Sequence, residues 1–393
     1  MKNILISGPL LSNSGYGVHS RQVFNYLNSL KNVKVFCNIT KWGDVPWHLT
    51  DEYTGNSFSK IIKSHIPESS LTNITFDEAY SVSYPHEWIM CGKKNIGITA
   101  GVETDLVPFH WLKYVNKVDT VICTSNFTAQ AFYNQAELKN FKLNKKINVV
   151  HQYYYEEFIE EKVEINKLKE IKTENNLLLI GQLTDNNSEL DRKNIFNAIE
   201  SLTRIMSNVE SSGIIIKTNL GNNSYVDYEF LLNKISHCLN NIKIELGDKM
   251  PKIYVLHGNL KPLEIKSLYE SEKVSAMISL SKGEGFGLNL LEAASCGLPI
   301  IATDYSAYKE FLEDSFVKVD YELKEIPQRK VDYKIYSQGS KWACYDNKSL
   351  HKAVLKFFNN KDYYYNISKD LQNFIKNNFN KKEIFKKYKT YLE

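Results

Sequence analysis

Three glycines at alternate positions, Gly283, Gly285 and Gly287, enclose Glu284, and Glu292 follows eight residues after that acid, ahead of Cys296-Gly297-Leu298-Pro299. Ala276 to Leu280 reads as a strand, and Ser281 to Gly285 as the turn leaving its carboxyl end for a helix that starts near Phe286 or Gly287. Gly297 is placed to cap this helix and Pro299 to stop it. Glycine at 285 and 287 lets the backbone approach a ligand, and the first amides of the helix, at Gly287, Leu288 and Asn289, lack partners within it. Amides at the positive end of a helix form an anion site suited to a diphosphate. Glu292, within the first two turns, can accept two hydroxyl hydrogen bonds from a ribose, and Glu284 can accept from a polyhydroxy group beyond the phosphates. The implied ligand joins sugar, diphosphate and nucleoside; two surface carboxylates beside a turn are the alternative. The stretch has neither a Gly-Lys-Ser/Thr triplet nor a complete GxGxxG, which disfavours ATP and nicotinamide sites.

The elements needed to position these residues recur along the chain. Strand-sized runs at Ile4-Leu5-Ile6, Val33 to Phe36, Asn95 to Thr99, Thr120 to Cys123 and Ile147 to Val150 alternate with amphipathic stretches, as parallel sheets with crossover helices require. The alternation stops at Glu156 to Lys162, and the charged, weakly patterned segment to Asn176 reads as a domain linker or as a solvated helix within one domain. A second series follows at Asn176 to Gly181, Gly213 to Lys217, Ile253 to His257, Ala276 to Leu280 and Pro299 to Thr303. The chain of 393 residues is long enough for two domains of this kind. From Ser349 onward the pattern is helical and ends in Lys381, Lys382, Lys386, Lys387 and Lys389. That run reads as a solvated face or as a weak peripheral contact with acidic headgroups.

Composition narrows the function classes. Hydrophobic content of 43% and charged content of 24% are those of an ordinary globular chain, and a net charge of +4 argues against a dedicated nucleic-acid binder. Six cysteines without a CxxC pair indicate neither zinc nor a disulfide framework, so a reducing cytoplasm is the expected compartment. MKNILISGPL reads as a first buried strand, and no apolar run approaches the ~18 residues of a spanning helix.

Gly283-Glu284-Gly285-Phe286-Gly287-Leu288, continued by Glu292-Ala293-Ala294-Ser295-Cys296-Gly297-Leu298-Pro299, resembles the donor-site signature of family 4 retaining glycosyltransferases (glycosyl transferases group 1), with seven residues between the glutamates. The resemblance implies an α/β GT-B fold: two Rossmann-like, doubly wound parallel-sheet domains facing across a cleft. The first would span 1–160 and bind the acceptor, the second 170–374 and bind the donor, with a last helix, 375–393, packed back on the first. Other segments match in order. Ser14-Gly15-Tyr16-Gly17-Val18-His19 is similar to the turn that faces the diphosphate, although a plain tight turn also explains the glycines. Thr99 to Asp105 resembles a subgroup carrying Glu-Thr where many members have a histidine near the reacting sugar, which implies either a role there for Glu103 or a buried helix cap. Arg192-Lys193-Asn194 follows the strand ending at Gly181; the family's phosphate-binding lysine carries over to Lys193, with Arg192 as partner. Gln182 departs from the pattern, since many members have arginine there. His257-Gly258-Asn259-Leu260 is similar to the segment that packs the nucleobase, though His257 reads equally as a strand-end histidine.

The function implied is retaining transfer of a sugar from a nucleotide-diphosphate donor, with UDP- or GDP-sugar the expected co-substrate and no further cofactor. The expected donor contacts are Gly15, Tyr16, Gly17, Arg192, Lys193, Asn259, Leu260, Glu284, Gly285, Phe286, Gly287, Leu288 and Glu292, with Glu284, Lys193 and Glu103 at the reaction centre. No Asp-x-Asp pair is present, so no metal is expected. A silent nucleotide-sugar or glycan binder and an enzyme acting on nucleic-acid bases are the rival readings. Acceptor loops are expected at Lys41 to Tyr53 and Tyr84 to Trp88, where Trp42, Trp47, Tyr53 and Trp88 either stack on sugars or anchor the loops.

Overall fold

The computed structural model describes residues 1–54, 56–155, 165–185, 187–221 and 223–392. The expected linker at Glu156 to Lys162 lies outside them. The chain forms two units, one of Met1–Tyr155, Val331–Ser340 and Asn378–Glu393, the other of Glu156–Lys330 and Lys341–Asn377.

The first unit is built on β1 (Lys2–Gly8), α1 (Gly15–Ser29), β2 (Val33–Ile39), the short helices α2 (Asp51–Thr54) and α3 (Phe58–Lys63), β3 (Phe76–Val82), β4 (Gly92–Thr99), α4 (Phe109–Val115), β5 (Thr120–Cys123), α5 (Asn126–Leu138) and β6 (Ile147–Val149). Its six strands are all parallel in the order β2-β1-β3-β4-β5-β6. Chain order reverses between β1 and β3, and ligands of such sheets bind beyond the carboxyl ends of the strands at this reversal. Ile4, Leu5 and Ile6 are fully buried, as a strand covered on both faces requires. Ser14 caps α1 by accepting the Gly17 amide at 3.0 Å.

The second unit repeats the design with β7 (Asn175–Ile180), α6 (Ile195–Met206), β8 (Ser212–Thr218), α7 (Tyr225–Leu246), β9 (Lys252–His257), α8 (Pro262–Tyr269), β10 (Ala276–Ser279), α9 (Leu288–Ser295), β11 (Ile300–Thr303), α10 (Lys309–Leu312) and β12 (Val317–Val319). The order is β12-β11-β10-β7-β8-β9, again all parallel, with its reversal between β7 and β10. Leu177, Leu178 and Leu179 pair in register with Ile214, Ile215 and Ile216, and all six are essentially fully buried. Each contributes about 1.5–3 kcal/mol relative to exposure, before the entropy of ordering is set against it. A hairpin, β13 (Tyr321–Glu325) with β14 (Lys341–Tyr345), then α11 (Asn347–Asn359) and α12 (Lys361–Asn378) complete the unit.

The chain returns to the first unit in α13 (Lys381–Leu392), where Tyr388 stacks on Tyr26 at 5.1 Å and bonds His19 Nε2 at 3.1 Å. The apolar face of α13, with Ile384 and Leu392, is spent on that core. Its lysines are partly engaged within the unit: Lys386 pairs with Glu383, and Lys387 lies over Phe379. Residues 331–340 of the hairpin loop also belong to the first unit, where the Trp111 indole donates to the Lys334 carbonyl at 3.0 Å. No described helix is long and apolar enough to cross a membrane, and all six cysteines are free thiols.

Candidate donor site

The reversal in the second sheet is where the charges gather. Lys193, in the loop between β7 and α6, places Nζ 2.5 Å from Glu284 Oε1, and Arg192 Nη1 lies 3.5 Å from Oε2 while donating to the Gly283 carbonyl at 2.7 Å. All three side chains are largely shielded from water. Burial works against ionisation of Glu284, but Lys193 and Arg192, with hydrogen bonds from Lys193 and Ser281, outweigh it and hold the carboxyl below its ordinary range. It is therefore an ionised acceptor with two cations beside it.

The loops that hold this group are built from residues whose motif value is small. Asp191, fully buried, accepts the Lys193 amide and the Thr184 hydroxyl on Oδ1, and caps Ile195 at the start of α6 through Oδ2 at 2.8 Å. Asn194 takes a left-handed conformation, φ 58°, to turn the chain into α6. Lys282 donates to the Ser188 and Glu189 carbonyls at 3.0 and 2.8 Å, tying the two loops together. Ser306, after β11, both accepts the Glu284 amide and donates to the Glu284 carbonyl, each at 2.6 Å. It does so at φ 94°, a conformation that costs a residue with a side chain about 1–3 kcal/mol. Reading the sequence missed Asp191, Lys282 and Ser306; only Asp191 carries a signal, an acid just before a helix start.

Gly287 enters α9 at φ 90°, and a Cβ there would stand 3.1 Å from that of Tyr308, so the position needs glycine. The helix starts one residue later than expected, at Leu288, with no side-chain cap. Its far end closes as a Schellman motif, Gly297 N–H to Ala294 and Leu298 N–H to Ala293, the stop that Gly297 and Pro299 imply. Glu292 lies in the second turn, and removal from water pushes its carboxyl up to about 8. Phe286 is buried against Phe311. Asn259 and Leu260 follow β9 at the same edge of the sheet, and Gln182 is exposed after β7.

In the first unit Gly15, Tyr16 and Gly17 form the first turn of α1. A Cβ on Gly17 would overlap the Ser12 backbone carbonyl, whereas one on Gly15 would meet nothing within 4 Å. Packing thus explains Gly17 and leaves Gly15 unexplained. Tyr16 is buried and stacks on Trp42 at 4.1 Å; its hydroxyl bonds Thr99 Oγ1 at 2.9 Å and the Gly101 carbonyl at 3.2 Å and accepts the Ala100 amide at 3.0 Å. Burial raises its pKa strongly. Tyr16 therefore braces the loop after β4 that carries Glu103. Glu103 is not the N-cap of α4, which begins at Phe109 behind Pro108. Among the acceptor-loop aromatics Trp88 is core, its indole against Gly97 and donating to Ser83 O, and Tyr53 stacks on His48 at 4.9 Å. Trp42 is half-buried and Trp47 exposed.

Residues 251–328, which include Asn259, Glu284 and Glu292, match the model of glycosyl transferases group 1. Over its whole length the chain superposes on solved structures at low identity. Sucrose-phosphate synthase from Thermosynechococcus elongatus is 13% identical with a TM-score of 0.62, the match covering 99% of this chain and 98% of that one. HepE from Anabaena, solved in complex with UDP, is 11% identical with a TM-score of 0.64, covering 100% and 99%. A UDP-forming α,α-trehalose-phosphate synthase from Burkholderia xenovorans is 11% identical with a TM-score of 0.63, covering 100% and 99%. The fold is GT-B. Comparison with curated proteins finds no match in sequence. In this GT-B chain the matched segment holds the glutamates and the start of α9, while Lys193 and Arg192 come from outside it.

Proposed function

We propose that this protein is a retaining glycosyltransferase that moves a sugar from a nucleotide-diphosphate sugar to an acceptor of unidentified class. The observation that carries the reading is the convergence of Lys193 and Arg192 on Glu284 at the sheet reversal, beside a helix entered through glycine. Between themselves the two cations and the one carboxylate partly neutralise one another. A bound donor would divide them: its diphosphate takes the two cations and the amides at the start of α9, and its sugar hydroxyls donate to the Glu284 carboxylate.

Chemistry then follows from charge. As the glycosidic bond breaks, negative charge grows on the leaving diphosphate, and fixed cations with preorganised amides lower that barrier. Glu284, held ionised, accepts hydrogen bonds and has no proton to give, which suits orientation of the sugar rather than acid catalysis. Gly15, a donor contact by the family resemblance, has nothing within 4 Å of where a Cβ would stand. The leaving phosphate takes the acceptor's proton on the same face, so the anomeric configuration is retained without an enzymic nucleophile or a metal. Glu103 is assigned to the reacting sugar, and Glu103→Gln should lower turnover without weakening nucleotide binding.

The test is a panel of UDP-, GDP-, ADP- and TDP-sugars incubated with excess chelator, with donor cleavage and product anomer read by NMR. Cleavage of a UDP- or GDP-sugar with the anomer retained, lost in Glu284→Ala, is expected. Binding without cleavage would make the protein a silent binder, and neither binding nor cleavage would end the transferase reading.

A further inference from the structure

Every residue of β13 is exposed, Tyr321 at 38% and Leu323 at 40% among them, and among the described residues its one strand partner is β14. The register sets Tyr321 against Tyr345, Leu323 against Ala343 and Glu325 against Lys341. The Ala343 amide turns away from β13, since it donates to the Lys282 carbonyl at 2.9 Å. In an antiparallel pair, opposed residues either exchange both hydrogen bonds or turn both sets of groups outward. Leu323 therefore directs its amide and carbonyl to the open edge, and Tyr321 and Glu325, at the alternate positions, do the same. Such an edge is a template for one more strand.

Charge decides which strand fits. Edge strands ordinarily carry charges that repel a partner, but here Glu322 and Lys324, which flank Leu323 and stand 3.1 Å apart, have opposite signs. An antiparallel copy of the same strand, centred on Leu323, sets Glu322 of each copy directly across from Lys324 of the other. These charged pairs fall at the positions without backbone bonds, where opposed side chains stand closest. Leu323 meets Leu323, and Tyr321 meets Glu325, at the positions that exchange backbone bonds. Moving the centre to Glu322 or to Lys324 would set like charges opposite one another, so the pattern selects one register.

We infer that this edge pairs with a second copy of the chain, β13 to β13 about a two-fold axis at Leu323, so that the two hairpins form one continuous sheet. Standard interfaces engage about 20–30 residues a side, whereas β13 has 5, so the contact is weak and forms at high concentration and low salt.

Sedimentation velocity of the full chain at low salt, from about 1 to 200 µM, tests it. The sedimentation coefficient should rise with concentration toward that of a dimer and fall back in high salt. Glu322→Lys and Lys324→Glu each set like charges across both pairs, and each should associate at least about tenfold more weakly. Mixed in equal amounts, the two variants place an acid across from a lysine at both positions and should associate as the wild type does. Leu323→Pro removes an amide that β14 does not use, so it should melt close to wild type and stay monomeric. A wild type that is monomeric throughout, single variants that associate as tightly as wild type, or a mixture that stays monomeric overturns the inference.

Discussion

Each sheet reverses chain order once, between β1 and β3 in the first and between β7 and β10 in the second, yet the residues gathered at the two reversals differ in kind. At β1 and β3 the loops bring together rings: Tyr16 on Trp42 at 4.1 Å, Trp42 beside Tyr84 at 4.9 Å, and Tyr84 beside Trp111 at 5.2 Å. At β7 and β10 they bring together charges, Lys193 and Arg192 on Glu284. Aromatic packing satisfies itself and leaves a rigid wall. A shielded ion triad is at best a marginal source of stability, because desolvation offsets much of its attraction. The second reversal therefore suits a charged ligand, while the first holds a loop still.

Four changes sharpen or break that contrast, in descending size. Lys193→Met should cut turnover by about 10²–10³-fold, the scale of removing one preorganised stabiliser of the leaving charge. It should also lower the melting temperature, since Glu284 loses its nearest cation. Adding Glu284→Gln should restore the melting temperature and leave turnover lost; recovery of both would make the pair merely structural. Next come the α1 glycines. Gly17→Ala should cost about 1–3 kcal/mol or more in denaturant melts, because its methyl meets backbone. Gly15→Ala should melt like wild type and lose donor turnover, and equal stability loss in both would remove any ligand-side role for Gly15.

The third change is one of pH. Glu292, with a folded pKa of about 8 against an ordinary 4.5, stabilises the fold while protonated. That contribution is complete below about 4.5 and is lost as pH rises through about 8. A ribose diol donating to the carboxyl favours its ionised form, so nucleotide binding at pH 7 should release up to about one proton. Binding enthalpies measured in buffers of different ionisation heat will show it, and Glu292→Gln should abolish the dependence. The smallest effect belongs to the aromatic reversal. Tyr16→Phe removes the hydroxyl from Thr99, Ala100 and Gly101 and should cost about 1 kcal/mol of stability, with nucleotide affinity unchanged.

Much of this plan is legible in the residues. The runs around Ile4, Leu177 and Ile214 announce buried parallel strands by being apolar on both faces, and Gly297 with Pro299 announces the end of α9. β3 escapes such reading because it opens on Phe76-Asp77-Glu78: Glu78 is buried, bonded by Lys2 and the Tyr80 hydroxyl, partners that only the fold supplies. The hairpin of β13 and β14 escapes because the whole of β13 is exposed, its apolar Tyr321 and Leu323 included, so no buried run marks it. At the candidate site, glycine spacing singles out Glu284 and Glu292, while Lys193 is singled out only by the family resemblance. Ser306 is invisible because its value lies in a strained backbone angle, and the bracing role of Tyr16 lies in a hydroxyl whose partners, Thr99, Ala100 and Gly101, stand far off in sequence at the end of β4 and in the loop after it.

We propose that Lys193, at the charged reversal, supplies the main grip on the donor and that the Tyr16 hydroxyl, at the aromatic one, supplies none. Equilibrium binding of a UDP- or GDP-sugar to wild type, Lys193→Ala and Tyr16→Phe tests it most directly. The account predicts affinity at least about tenfold weaker in Lys193→Ala and unchanged in Tyr16→Phe. Affinity indifferent to Lys193, or lost in Tyr16→Phe with the fold intact, would contradict it.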